Sequence, residues 1–208
     1  RCPKCNGMVD AREYHERTKH TPQQFREMDF ELDFDNQPGP SKVYADLPRR
    51  SLGDVVDLPE APALAAVATA TATPSGDAVE PLSGTELTAL CHYANGVTKT
   101  LERGGQSVAF RAASCTGKLY HIDCYAICGD LDGVDAGVYH YDPESDAFHV
   151  LREGDYRGVL ASATGDQPGV AEAPVTIVAT STWWRNAWKY RDRTYRHAFW
   201  DSGTGVAN

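Results

Sequence analysis

Between Trp183 and Trp200 the chain gathers Arg185, Lys189, Arg191, Arg193, Arg196 and His197 among four tryptophans and the rings of Tyr190, Tyr195 and Phe199. If this stretch is helical, Arg185, Lys189, Arg193 and Arg196 form one stripe and Trp184, Trp188, Tyr195 and Phe199 another. Like charges at i, i+4 repel by a few tenths of a kcal/mol each. Such a stripe is expected where a phosphate or an acidic peptide offsets it, or where Asp192, Asp201 and other acidic groups neutralise it.

A second stretch with chemical potential is Arg111-Ala-Ala-Ser114-Cys115-Thr116-Gly117. Small residues and a glycine let backbone N–H groups approach a ligand closely, and Arg111 adds a fixed cation, so the loop is suited to a planar polar ring or a phosphate. A turn with no ligand is the plainer reading. Cys115 with His121 six residues on also reads as a nucleophile and base, although no third group is in place to orient the histidine. At the start of the chain, Cys2 and Cys5 make a C-x2-C knuckle. A closed zinc site needs four ligands, which would have to come from His15 and His20 or from residues not in this chain. A zinc-ribbon nucleic-acid module is the functional version of that reading.

The elements that must carry these residues follow from spacing. Ser83 and Glu86 have capping-box separation, and Leu87, Leu90, Cys91 and Ala94 recur at helical intervals, which predicts a helix ending at Gly96. From Leu119 to Cys128 the residues alternate, with Ile122, Cys124, Ala126 and Cys128 on one face and His121, Asp123 and Tyr125 on the other. This predicts a half-exposed strand, with Tyr120 and His121 packing at its start. Residues 137–141 and 147–151 flank a polar turn and predict a hairpin. Val175 to Ala179 is a continuous apolar run, predicting a central strand buried on both faces. Helices and strands interleave without strict repetition, so the expected class is α+β.

Residues 11–60 are polar and broken by proline, and predict an arm wrapped over a body, opened by a short helix near Tyr14–His20. Ala61 to Pro74 is low in complexity, part linker and part helix. The chain has 208 residues, 41% hydrophobic and 24% charged, with 20 Lys and Arg against 29 Asp and Glu. One core of ordinary size is expected. The net charge of −9 argues against general binding to nucleic acid or anionic membranes. No run approaches the roughly 20 apolar residues of a membrane span, and no signal-peptide core opens the chain. A cytoplasmic protein is the expectation, with Cys91, Cys115, Cys124 and Cys128 as free thiols. The first residue is Arg and the last residues complete no element, so the chain reads as a piece of a longer protein, with Met8 a conceivable native start.

Taken together, four strings resemble the thiazole/oxazole oxidase (SagB/ThcOx-type) branch of the FMN-dependent nitroreductase superfamily. They are Arg12–Thr21, Phe110–Tyr120, Gly137–Pro143, and Trp188–Arg196 leading into Asp201-Ser-Gly203. The resemblance implies a nitroreductase-like mixed or antiparallel sheet flanked by helices, incomplete at its C-terminus. Residues 61–208 would form that domain, 11–60 the arm, and 1–10 a truncated zinc knuckle or leader. It implies FMN at a homodimer interface and a ping-pong transfer of electrons through the flavin. Arg111, Ser114, Cys115, Thr116 and Gly117 would lie against the flavin. Lys189 and Tyr190 would handle the proton. The substrate would be an azoline in a peptide, a nitro compound or a quinone-like acceptor, with a cyclodehydratase as a partner. A non-catalytic, oxidase-like scaffold that binds a peptide or partner enzyme is the alternative. The family's arginine-rich phosphate string has no match near 65–73, Arg49-Arg50-Ser51 lies earlier, and Thr204 stands where many relatives have His.

Overall fold

The computed structural model describes residues 10–27, 31–55, 62, 64–65 and 82–208. Cys2 and Cys5, and most of Ala61 to Pro74, lie outside the described residues. The architecture is α+β, an antiparallel sheet flanked by helices.

The N-terminal stretch opens with α1 (Ala11–Thr18) and α2 (Pro22–Glu27) and later supplies the two-residue strand β1 (Arg49–Arg50). Asp10 caps α1 by accepting from the amides of Arg12 and Glu13, which satisfies two otherwise orphaned donors. The capping box predicted at Ser83 and Glu86 is present in full and starts α3 (Gly84–Asn95), which stops at Gly96. β2 (Val97–Arg103) and β3 (Gln106–Arg111) then form a separate hairpin. Its two-residue turn is Gly104-Gly105, with φ of +59° and +78°. Both values lie where only glycine sits without strain, and they match the twist of a tight hairpin.

The main sheet runs β1-β6-β5-β4-β7, built from β4 (Ile122–Cys128), β5 (Gly137–Asp142), β6 (Ala147–Glu153) and β7 (Val175–Ser181). The β5–β6 hairpin is the one expected, its strands paired from Gly137↔Glu153 to Asp142↔Ala147. The short helices α4 (Arg157–Ala163) and α5 (Pro168–Glu172) link β6 to β7.

Two strand expectations exchange places. β4 is central, paired to β5 on one side and β7 on the other. Both of its edges are therefore paired, and both faces are covered by packing as well: Asp123 and Ile127 are buried along with Cys124, Ala126 and Cys128. β7, expected to be central, is an edge strand among the described residues, with Ile177 36% exposed. Apolar content alone does not rank strands in a sheet. β7 is apolar because it walls a cavity, whereas β4 buries its polar face under other polar groups.

On one face of the sheet, Leu87 and Cys91 of α3 pack on Cys124, Ala126, Cys128, Tyr139, Tyr141, Phe148 and Val150 to make the core. Cys91, Cys115, Cys124 and Cys128 are free, as expected. On the other face, Tyr125, His140 and His149 stand side by side on adjacent strands. The arm crosses above them: Lys42 donates to the Tyr125 hydroxyl at 2.8 Å, and Tyr44 packs edge-on against His140. His140 is 1% exposed, and neither of its ring nitrogens has a hydrogen-bond partner. Among the described residues no helix is long and apolar enough to cross a membrane.

Burial, aided by the neighbouring His149 and Lys42 and opposed by Asp123, pushes His140 down to about 4. The unfolded chain takes up this proton near pH 6.5, while the folded one resists it until about 4. Folding stability therefore falls as pH drops through that window. Urea midpoints measured from pH 7 to pH 4 should decline, and His140→Phe should flatten that decline.

Candidate functional site

The Trp183–Trp200 stretch is not one helix. α6 (Trp183–Tyr190) ends in a 3₁₀ turn at Arg191–Arg193, and α7 (Thr194–Ala207) follows on a new axis. Arg191 takes φ +50° at the break, a conformation that costs a non-glycine residue on the order of 1 kcal/mol. The expected cationic stripe is consequently dispersed. Arg185 is buried at 3% exposure and pairs with Asp123 at 3.3 Å, while the same Nη1 donates to the Tyr120 carbonyl at 2.7 Å. Arg193 donates to the Thr18 carbonyl, and Arg196 donates to the Thr18 hydroxyl at 2.8 Å. Trp188 donates to the Asp33 carbonyl at 2.7 Å and packs against Phe34. The cations and rings that looked free to hold an anion thus tether the arm and the β3–β4 loop. The partners of these arginines and of Trp188 are carbonyls, one hydroxyl and one carboxylate of the chain itself.

The loop between β3 and β4 is held just as firmly. Gly117 takes φ +66° without strain, but Lys118 and Tyr120 have φ of +57° and +45°, strain that persists only because the surroundings over-determine it. The Asp201 carboxylate, on α7, is the main constraint. It accepts from the Thr116 amide at 3.0 Å, the Thr116 hydroxyl at 2.8 Å, the Cys115 thiol at 3.2 Å and His121 Nε2 at 2.9 Å. A carboxylate only accepts, so Nε2 carries the proton. Nδ1 of the same ring meets the Ser181 hydroxyl at 2.8 Å. Burial alone would raise the Asp201 carboxyl, but His121, Thr116 and Cys115 outweigh it and hold it below the usual range.

Of the residues singled out in the sequence, Cys115 and Thr116 therefore point at Asp201. Burial, then the Asp201 charge, pushes the Cys115 thiol up to about 12. This is the reverse of an activated nucleophile, which needs a depressed pKa, so the nucleophilic-cysteine reading fails. Arg111 is 7% exposed and also committed, donating to the Pro40 carbonyl, the Ser41 hydroxyl and Asn95 Oδ1. Ser114 is exposed, and its carbonyl accepts from Thr204. Gly117 lies against Tyr190: a Cβ built on it would come within 2.4 Å of the phenol oxygen. Lys189 stands over the Tyr190 ring at 5.4 Å from its centroid. That ring lies near-perpendicular to His197, with centroids 4.7 Å apart. His197 Nδ1 donates to Asn186 Oδ1 at 2.9 Å, because the amide oxygen can only accept, so Nδ1 carries the proton. Burial, aided by Arg193, lowers this imidazole to about 4, so it is neutral near pH 7.

Lys189, Tyr190 and Gly117 thus share one junction, with Cys115 and Thr116 immediately behind it. Arg111 is held elsewhere. Sequence reasoning missed Asp201 and underrated His121, which is fully buried. The only sequence signal was the Asp201-Ser-Gly203 string, and its partners lie about 80 residues away. Asp201 also borders an apolar cavity of about 500 Å³ between α3, β4, β7 and α7, lined by Tyr93, Ile122, Cys124, Ile177 and Val206 among others. None of the residues singled out as catalytic or flavin-binding lines it.

No protein-family model matches the sequence. A curated protein of Methanocaldococcus jannaschii, named as a candidate nitroreductase, is 30% identical over 128 residues, covering 62% of this chain and 61% of that protein. The crystal structure of a candidate nitroreductase from Anabaena variabilis matches with a TM-score of 0.70 at 26% identity, covering 92% of this chain and 36% of that one. The fold is nitroreductase-like. A Ralstonia eutropha structure described in the same terms matches with a TM-score of 0.58 at 23% identity over 79% of this chain and 70% of that one, and speaks for the fold alone. The chain spans less than two thirds of the curated relative it matches.

Removing Arg185 leaves Asp123 buried without its counter-ion. Arg185→Ala should cost about 3–5 kcal/mol of folding stability. Arg185→Leu combined with Asp123→Leu should recover most of that loss, because neither charge is then stranded. Urea unfolding followed by circular dichroism compares the three proteins.

Proposed function

We propose that the chain forms part of an FMN-dependent oxidoreductase of nitroreductase type, one that dehydrogenates an azoline ring in a peptide. The observation that carries this reading is the contact between Gly117 and Tyr190, which joins the small-residue loop to the Lys189–Tyr190 pair. Sequence similarity to a candidate nitroreductase and the nitroreductase-like fold support the same class.

The described residues fit the ring end of FMN better than its phosphate end. Ser114, Gly117 and Lys118 are exposed, and a backbone that carries no Cβ at Gly117 can approach a planar ring closely. Arg111 has its guanidinium engaged by Pro40, Ser41 and Asn95, and does not serve as a phosphate ligand. FMN, when bound, supplies a hydride acceptor. Tyr190 is held from two sides, by Gly117 and by the neutral ring of His197. Its hydroxyl therefore has a fixed position beside the loop. Lys189, alongside it, provides an amine that can take a proton or steady charge on the phenol. Cys115, Thr116 and His121 act behind the loop and hold its shape through Asp201.

The commitment of Arg111 favours a second reading, a scaffold that keeps the fold and binds a peptide or a partner enzyme without catalysis. The absorption spectrum of the purified full-length protein separates the two. A flavin spectrum supports the enzyme, and colourless protein that rejects added FMN supports the scaffold. In a flavin-bearing protein, Lys189→Ala should abolish turnover with the flavin retained. Gly117→Ala should lower turnover at least about tenfold by displacing the Tyr190 hydroxyl, with a stability loss of only about 1 kcal/mol for a side chain forced to positive φ.

A further inference from the structure

Cys115 Sγ, His121 Nε2 and an Asp201 carboxylate oxygen all lie within 4.8 Å of one another, the only such group of three found among the described residues. They come from three places: the β3–β4 loop, the residue before β4, and α7. We propose that this trio binds a divalent transition metal of zinc's chemical class, with a fourth coordination position open toward the neighbouring cavity.

The donor set is the first reason. A thiolate, an imidazole and a carboxylate are the three ligand types that zinc selects, and three protein ligands with one open position is the pattern of an accessible site. Spacing is the second. Asp201 Oδ2 is 2.9 Å from His121 Nε2 and 3.2 Å from Cys115 Sγ. Bonds of zinc length to tetrahedral ligands hold such atoms roughly 3.3–3.6 Å apart. Asp201 Oδ2 therefore needs to part from each of the other two donors by only a few tenths of an ångström to share a metal with them, and those two lie within 4.8 Å of each other.

Each ligand also has a second polar contact that orients it. Ser181 holds His121 Nδ1 at 2.8 Å, Thr116 holds Asp201 Oδ1 at 2.8 Å, and the Tyr120 amide donates to Cys115 Sγ at 3.0 Å. Metal sites are built with this outer layer, because a ligand aimed in advance loses less freedom on binding. Asp201 lines the apolar cavity together with Asn95 and Cys124, which provides a route in and space for a water or a small ligand in the fourth position.

Protons and charge balance. Before binding, the site holds a thiol, a neutral imidazole protonated at Nε2 and a carboxylate. On binding, Cys115 gives up its proton to solvent. His121 shifts to the tautomer protonated at Nδ1, which then donates to the Ser181 hydroxyl, and Nε2 becomes a ligand. The metal's two positive charges meet two negative ones, so the buried site becomes neutral.

The test uses the complete chain carrying Cys2→Ser and Cys5→Ser, which removes the N-terminal thiol pair, and cobalt(II) chloride as the probe. A stoichiometric thiolate-to-cobalt charge-transfer band with the visible bands of tetrahedral cobalt is expected. Zinc should displace both, and Cys115→Ser should abolish the charge-transfer band. Folded protein with no such band, or an undiminished band in Cys115→Ser, would overturn the proposal. A second measurement needs no variant at the site. Zinc chloride should slow alkylation of Cys115, read by peptide mass spectrometry, by about tenfold or more. Unchanged labelling also overturns it. No flavin enters either measurement, so the outcome is separate from that of the oxidoreductase reading.

Discussion

The arrangement of this site depends on one buried carboxylate. Asp201 stands on the C-terminal helix and takes hydrogen bonds from an amide, a hydroxyl, a thiol and an imidazole that all belong to the loop and strand start opposite. A carboxylate removed from water is costly by several kcal/mol unless such donors surround it. The same bonds that stabilise the charge hold a loop with three residues at positive φ in its strained shape. The carboxylate therefore does for the loop what hydrophobic packing does for the sheet, but with direction, because each donor must point at one of two oxygens.

A second buried charge works alongside it. Arg185 neutralises Asp123 and also holds the Tyr120 carbonyl, so the loop is fixed at its far end from α6 as it is fixed near Cys115 from α7. The break between those two helices at Arg191 lets each supply its own anchor. The junction of Gly117 with Tyr190 falls between the anchors. Two further arginines of the segment serve the arm, Arg193 and Arg196 closing on Thr18, and the aromatic Trp188 reaches residues 33 and 34. Three of the cations in a chain of net charge −9, Arg185, Arg193 and Arg196, are thus engaged within the chain without a bound anion.

The sheet shows a related point about polarity. β4 carries Asp123, Tyr125 and, just before it, His121, and alternation made it look half exposed. In the fold each of those residues meets a partner: Arg185 for Asp123, Lys42 for Tyr125, Asp201 for His121. Burying a polar face is tolerable when its groups are paired. On that face His140 has neither ring nitrogen partnered and the neighbouring His149 leaves Nδ1 unpartnered, and burial holds the His140 imidazole down. β7, by contrast, faces a cavity with its apolar side and remains at the edge.

Local features were legible in the sequence because their causes are local. The Ser83–Glu86 box, the stop at Gly96 and the β5–β6 hairpin each follow from neighbours within a few residues, and the Gly104-Gly105 turn could have been read the same way. The α+β class followed from the mixture of periods, and the four family-like strings pointed to the nitroreductase-like fold. Which strand is central, where the cationic segment breaks, and that Cys115, Thr116 and His121 converge on Asp201 were decided only by the tertiary structure. Those outcomes depend on pairs separated by about 60 to 180 positions, such as Asp123 with Arg185 and Thr18 with Arg193. The free energy of burying a charge depends on a partner that no local window of the chain contains.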